Sequence, residues 1–393
     1  MSKKFDYQKS NKEKDYLMKN LVLIGPVYPY KGGISHYTSL MYKELEKHFN
    51  VTLVSYKMQY PKLLFKKEQK DYSNDRFKID DVHYWINTAN PFNCIISGLK
   101  ILKLKTDLVI IQWWHPYFAP CYWLLEKVLG KRTKILFICH NVFPHERFPM
   151  DRMLTKIVLT KANYYIVQSK QDEQDLLSIK PNAIYKRTVH PTYNAFKIQN
   201  MTQKEARKLL NLEEDEQILL FFGFVREYKG LKYLLQAIPQ VSEKLPKVKL
   251  LVVGDFDQNK ETYLDIIKSQ KIENKIEIYD GYIPDQDVEK FFAACDVVVL
   301  PYESATQSGI VQIAYGFEKP VIVTDVGGLP EVVENEKTGF VVSPCDSSKL
   351  ANAICKYFEM NDVDKFKEEI RKEAYKYSWE KMYEIVENLE RSC

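Results

Sequence analysis

DVVVLPYESATQSGIVQIAYGFEKPVIVTDVGG, residues 296–328, decides the fold. Its opening run, 296–300, is apolar without alternation, as a strand buried on both faces must be. The polar loop Thr306-Gln307-Ser308-Gly309 precedes a helix predicted to begin near Ile310, and residues 320–324 repeat the buried-strand pattern. Strand, helix, strand with no hairpin signal between them is a crossover unit, and such units build parallel sheets.

The same alternation runs outward in both directions. The first half carries runs at 21–24, 51–55, 82–86, 107–112, 134–138 and 164–168; the second carries them at 217–222, 248–253, 275–279, 296–300, 320–324 and 340–342. After the first run, Ile34, Tyr37, Met41, Leu45 and Phe49 fall on one helical stripe. A chain of 393 residues is too long for one core. The expectation is an α/β protein of two doubly wound, Rossmann-like domains facing each other across a cleft. The Pro- and Asn-containing stretch 190–203 marks the junction, giving a first domain over 1–195 and a second over 196–375. A final helix within 376–393 returns to the first domain. Open α/β sheets bind ligands beyond the carboxyl ends of their strands, which sends both sets of loops into the cleft.

The net charge of +5 conceals an imbalance: residues 1–200 hold 32 Lys and Arg against 17 Asp and Glu, whereas residues 201–393 hold 25 against 35. A half at +15 joined to a half at −10 suits two kinds of partner. The charged start, MSKKFDYQKSNKEKDY, has no apolar core and is not read as a secretory signal. No stretch approaches a membrane span. Seven scattered cysteines without a C-x-x-C pair argue against a zinc site or disulfide framework and for a cytoplasmic protein. No recognition motif accompanies the basic charge, so nucleic acid is not expected as a partner.

Three loops carry the chemistry. In GPVYPYKGGISHYTSL, Gly32 and Gly33 precede a helix, where bare N–H groups favour an anion. In FFGFVREYKGLKYLLQA (221–237), a strand ends at Gly223, and Arg226 and Lys229 sit on the loop before the next helix. Two fixed cations there suit a pyrophosphate whose charge grows as it leaves. Thr306, Gln307, Ser308 and Gly309 offer hydroxyls and N–H groups to phosphate, and Gly327-Gly328 form another close-approach loop. Asp255-Phe256-Asp257 looks like a D-x-D metal site but reads as a surface turn, and no metal is expected. Trp113, Trp114 and His115 end the fourth run facing the cleft mouth, where rings stack on a sugar or touch lipid; the alternative is buried packing. Leu63, Leu64 and Phe65 beside Lys62, Lys66 and Lys67 suit an anionic membrane surface, with a solvated loop as the alternative.

The order and spacing of GPVYPYKGG, His140-Asn141, FGFVREYKG, DGYIPDQDVEKFFAACDVVVLPY (280–302) and KPVIVTDVGGLPEVVENEKTGF (319–340) resemble the retaining glycosyltransferases of family 4, with the GT-B fold, also called glycosyl transferases group 1. The resemblance runs from about Leu21 to the C-terminus. It implies metal-independent transfer of a hexosyl residue from a UDP- or GDP-sugar to a glycan or lipid-linked acceptor, as in polysaccharide or glycolipid biosynthesis; the basic patch at 62–67 adds peripheral contact with the inner face of the cell membrane as an expectation. His140, Arg226 and Lys229 become the catalytic set, with His140 orienting and stabilising the donor sugar rather than acting as a base. Gly32, Gly33, Gly223, Tyr282, Ile283, Thr306, Gln307, Ser308, Gly309 and Gln312 bind the donor. Trp114, His115 and Asn141 lie on the acceptor side, and Glu331 lies near the sugar or phosphate loop.

Two positions depart from the family. Phe224 stands where the family has an Arg directly after the Gly. The family also carries two Glu with seven residues between them; Glu303 has Val311 at that spacing, Ile313 holds the second position counted back from Lys319-Pro320, and Gln312 is the nearest polar substitute. The alternative is therefore a non-catalytic nucleotide-sugar-binding subunit that partners another transferase. A nucleotide-sugar epimerase is a third reading.

Overall fold

Every one of the twelve apolar runs becomes a parallel strand in the computed structural model, which describes residues 18–391 apart from 66, 73–74, 145–147 and 257–258. The charged N-terminal stretch, Lys66 and Asp257 lie outside the described residues. The chain divides into two units.

The first unit is built on β1 (Asn20–Ile24), β2 (Asn50–Met58), β3 (Val82–Asn87), β4 (Leu108–Trp113), β5 (Lys134–Cys139), β6 (Tyr164–Val167) and β7 (Ile184–Arg187). Their order is β3-β2-β1-β4-β5-β6-β7. Leu21 pairs with Val51 on one side and Leu108 on the other, so the strand order reverses between β1 and β4. β7 has no counterpart among the apolar runs. Its residues, IYKR, are mostly exposed at the sheet edge and carry no core pattern. Crossovers are supplied by α1 (Gly33–Leu45), α2 (Pro91–Lys103), α3 (Ala119–Leu129), α4 (Asp151–Leu159) and α5 (Lys170–Ile179). The predicted stripe buries Tyr37, Met41 and Leu45 of α1. Asn90 caps α2 by accepting from the Asn93 N–H at 3.0 Å, with Pro91 at the first helical position.

The second unit holds β8 (Gln217–Phe222), β9 (Val248–Gly254), β10 (Ile276–Asp280), β11 (Val297–Leu300), β12 (Val321–Thr324) and β13 (Gly339–Val342), in the order β10-β9-β8-β11-β12-β13. It begins with α6 (Gln203–Leu209), closed by a reciprocal capping box of Thr202 and Glu205. Then follow α7 (Leu231–Lys244), α8 (Lys260–Ser269), α9 (Asp285–Ala294), α10 (Gly309–Gly316), the single turn α11 (Leu329–Val332), α12 (Ser347–Met360) and α13 (Val363–Glu373). The last helix, α14 (Trp379–Arg391), belongs to the first unit. It packs on α1: Trp379 meets the Tyr37 ring edge-on at 5.0 Å, Tyr383 stacks on His48 at 3.7 Å, and Glu390 pairs with Lys19.

The units divide at Thr188/Val189 and at Ser378/Trp379, a few residues before the expected 195/196 and after the expected 375/376. The cause is local packing. The Thr192 N–H and hydroxyl both donate to the Tyr377 carbonyl at 2.8 Å, and Tyr193 leans on Gly309, so the residues before 196 are bound into the second unit. One expectation about cysteine is corrected. Cys94 of α2 and Cys121 of α3 form a disulfide, their Cα atoms 5.5 Å apart, because these two consecutive crossover helices pack side by side. Among the described residues, no helix is long and apolar enough to cross a membrane.

Candidate active site

In the first unit, three predicted stretches follow neighbouring strands. Gly32-Gly33 follow β1, Trp114-His115 follow β4, and His140-Asn141 follow β5. They lie at the point where strand order reverses, the usual ligand position in open sheets. Gly32 has φ 102° and opens α1, its carbonyl accepting from the Ser35 and His36 N–H groups. That backbone conformation suits glycine alone.

His140 is buried. Its backbone N–H donates to the Trp113 carbonyl at 2.8 Å, and its ring packs edge-on against Tyr37 at 4.6 Å. Gln112 turns its amide nitrogen towards Met41 Sδ, so its Oε1 accepts from His140 Nε2 at 2.7 Å. Neutral His140 then carries its proton on Nε2. Gln168 Nε2 donates to the Tyr37 hydroxyl at 3.0 Å and extends the network. Gln112 escaped the motif reading; its signal was a polar residue inside the apolar run 107–112.

The aromatic residues after β4 divide. Trp113 is fully buried, donating from Nε1 to the Val142 carbonyl at 3.2 Å, so it does not face a cleft mouth as expected. Trp114 donates to the Tyr60 hydroxyl at 2.9 Å and packs on Phe118 at 4.2 Å. His115 Nδ1 accepts from the Tyr117 N–H at 3.1 Å, capping a short turn, while Asn141 stays partly exposed. Leu63 and Leu64 are strongly exposed.

In the second unit, Gly223 follows β8 and the Thr306–Gly309 loop follows the neighbouring β11, against the Gly327-Gly328 turn after β12. Gly223 has φ 106°, and Lys229 Nζ lies 3.1 Å from where a Cβ on it would stand. The same ammonium is 5.6 Å from the centre of the Tyr302 ring. Part of the Lys229 stem remains accessible, but burial of the amino group brings its pKa down to about 8, and the Arg226 charge adds to the effect. Gly230, φ 66°, lets the chain pass so close to β11 that a Cβ would fall 1.9 Å from the Pro301 carbonyl oxygen.

Ser308 is buried, 3.4 Å from the Tyr302 hydroxyl, and α10 starts at Gly309. The loop 305–308 rests directly on 326–328. The Gly328 N–H donates to the Thr306 carbonyl at 2.8 Å, Gln307 Nε2 donates to the Gly328 carbonyl at 3.4 Å, and a Cβ on Gly327 would stand 1.5 Å from the Ala305 carbonyl oxygen. Glu303 pairs with Lys232 at 2.8 Å, and its N–H donates to the Tyr228 carbonyl at 2.7 Å, tying this loop to the Arg226–Lys229 turn. Gln312 is fully buried, with neither side-chain amide atom hydrogen-bonded. Phe224 is exposed. Tyr282 and Ile283 follow β10, where the Gly281 N–H donates to the Gly254 carbonyl at 3.2 Å. Among the described residues, no three His, Cys, Asp or Glu side chains converge as a metal set.

The family model described as glycosyl transferases group 1 matches residues 202–377. An uncharacterised glycosyltransferase of Methanocaldococcus jannaschii is 29% identical over 191 residues, covering 47% of each chain. The lipopolysaccharide 1,2-N-acetylglucosaminetransferase of Salmonella typhimurium is 25% identical over 271 residues, 65% of this chain and 66% of that one. The chain thus spans about half to two thirds of these relatives' length. Among solved structures, HepE of Anabaena in complex with UDP and glucose superposes with a TM-score of 0.74 at 16% identity, over 95% of this chain and all of that one. That likeness establishes the GT-B fold. The family model lies on the second unit, the one that carries Gly223, Lys229 and Ser308, so it is this unit that matches the glycosyl transferases group 1.

Proposed function

We propose that the chain is a retaining, metal-independent hexosyltransferase that takes a UDP- or GDP-sugar as donor. Its acceptor is a glycan or lipid-linked saccharide, as in polysaccharide or glycolipid biosynthesis. The observation that carries this reading is Lys229, whose desolvated ammonium sits over Gly223 and near the ring of Tyr302, itself 3.4 Å from the Ser308 hydroxyl. A cation screened from water acts strongly on the charge that grows on a departing diphosphate. Arg226 adds a second charge, Gly223 and the Thr306–Gly309 loop offer close backbone approach, and Tyr282 and Ile283 border the base. His140, held by Gln112, orients the sugar. Trp114, His115 and Asn141 border the acceptor, and the basic first unit suits an anionic or membrane-held one.

The names of similar proteins support donor and product class: a lipopolysaccharide N-acetylglucosaminetransferase and a protein crystallised with UDP and glucose. A second reading, a non-catalytic nucleotide-sugar-binding subunit, is favoured by the closed burial of Gln312 where the family has Glu nearby. A thermal-shift panel of UDP, GDP and their sugars tests the site. A rise in Tm with one nucleotide and its sugar supports either reading, whereas no response to any of them removes both. Release of UDP or GDP on turnover then separates transferase from binding subunit.

A further inference from the structure

The crossover helix α2 has two apolar stripes where one is enough for a core. Cys94, Ser97, Gly98 and Ile101 face inward and are buried. Phe92, Ile95, Ile96 and Leu99 follow the same i, i+3, i+4, i+7 spacing on the opposite side and are exposed, Phe92 by 78% and Ile96 by 51%. Two helices along, α4 repeats the arrangement: Met153 and Ile157 are exposed, and Met150 just before the helix is 65% exposed. α3 lies between them in sequence and packs against both. The Cys94–Cys121 bridge ties α2 to α3. Between α3 and α4 an apolar cleft of about 620 Å³ opens, lined by Trp123, Met153, Leu154 and Ile157, with Lys156 and Lys161 at its rim.

Charge completes the pattern. The three helices carry two carboxylates, Glu126 and Asp151, and both are buried. Their exposed charges are Lys100, Lys103, Lys127, Arg152 and Lys156, all positive. Lys127 and Lys161 both approach the Trp123 ring, at 5.5 and 5.4 Å, and Lys100 approaches Trp85 at 5.1 Å. Apolar side chains standing among cations, with every carboxylate withdrawn, are the complement of a lipid surface: acyl chains beneath anionic headgroups. The Leu63–Phe65 turn is close in the fold, since Thr88 at the entry to α2 donates through its hydroxyl to the Gln59 carbonyl at 2.7 Å.

We propose that the outer face of α2, α3 and α4 docks on an anionic bilayer, with Phe92, Ile96, Leu99, Met153 and Ile157 entering the acyl boundary and the lysines meeting headgroups. This goes beyond the transferase reading and does not need it, because vesicle binding requires no turnover.

The test is co-flotation of the full chain with phosphatidylcholine vesicles, with and without phosphatidylglycerol. Binding is expected only with the anionic lipid, and the combined change Phe92→Ser, Ile96→Ser, Leu99→Ser is expected to weaken it at least about tenfold. These side chains are exposed, so Tm should hold, and an unchanged Tm shows that the fold survives. A second variant, Lys100→Glu with Lys103→Glu, should weaken binding and remove the preference for phosphatidylglycerol. A fluorophore on Ile96→Cys should shift to the blue on anionic vesicles. Absence of binding, binding unaffected by the triple change, or binding lost only when Leu63 and Leu64 are changed would each overturn the proposal. So would a dimer in solution that the triple change converts to monomer, since a second copy would then be the occupant.

Discussion

Lys229 reaches across Gly223, its Nζ standing 3.1 Å from the position a Cβ would take. Gly223 also holds φ 106°, a conformation side chains disfavour. Gly223→Ala should therefore cost about 1–3 kcal/mol of stability. It should also displace the ammonium and weaken UDP or GDP binding about tenfold, since charged hydrogen bonds are each worth about 1.5–3 kcal/mol. Urea unfolding and titration calorimetry check the two effects separately; undiminished nucleotide affinity would detach Lys229 from the site.

The lowered pKa of Lys229 predicts a basic limb in the pH profile. Its ammonium is present below about 8 and is lost as pH rises through that value, so kcat/KM for the donor should fall above about 8. A bound diphosphate favours the charged form, which moves the limb in kcat to higher pH. Lys229→Arg, with a guanidinium that stays protonated, should retain reduced activity and lose the limb. An identical limb in the Arg variant would assign it to another group.

Gln112 offers a different readout. Gln112→Leu leaves the buried Nε2–H of His140 without its acceptor, at a cost of about 1–3 kcal/mol. The imidazole should also lose its fixed orientation, lowering kcat about 10- to 100-fold while donor KM changes little. A KM effect with unchanged kcat would make the pair a structural one.

Glu126 predicts how stability follows pH. Burial pushes its carboxyl up to about 8, against the opposing charges of Lys161 and Lys180. Between about 4.5 and 8 the folded chain holds this proton while the unfolded chain has released it, so the group's contribution to stability falls as pH rises across that window. Glu126→Gln should flatten this slope and raise Tm at pH 8 relative to the parent, with little difference at pH 4.5. Parallel Tm curves for the two proteins would contradict it.

Legibility in the sequence followed the physics of each element. The central strands announced themselves because both faces of a parallel sheet are apolar there, and β7 did not because IYKR is an exposed edge. The loops at Gly32, Gly223 and Ser308 were readable because backbone approach to an anion demands small residues before a helix. Side chains that work through partners were not. Nothing local joins Gln112 to His140, or Lys232 to Glu303, since those pairs exist only after neighbouring elements meet. For Trp113 the cleft-facing and buried alternatives stand open in the sequence, because an aromatic at a strand end has no sequence mark of burial; the structure takes the buried one. The Cys94–Cys121 bridge was invisible for the same reason: the spacing of 27 residues carries no motif.

The central claim is that this chain turns over a nucleotide-sugar through Lys229. The direct measurement is release of UDP or GDP from a panel of nucleotide-sugars by the purified full chain and by Lys229→Ala. Release from at least one donor is expected, with a loss of about 100-fold or more in the variant. Release unchanged by the substitution, or a donor that binds and is never consumed even with acceptor glycans present, would contradict it.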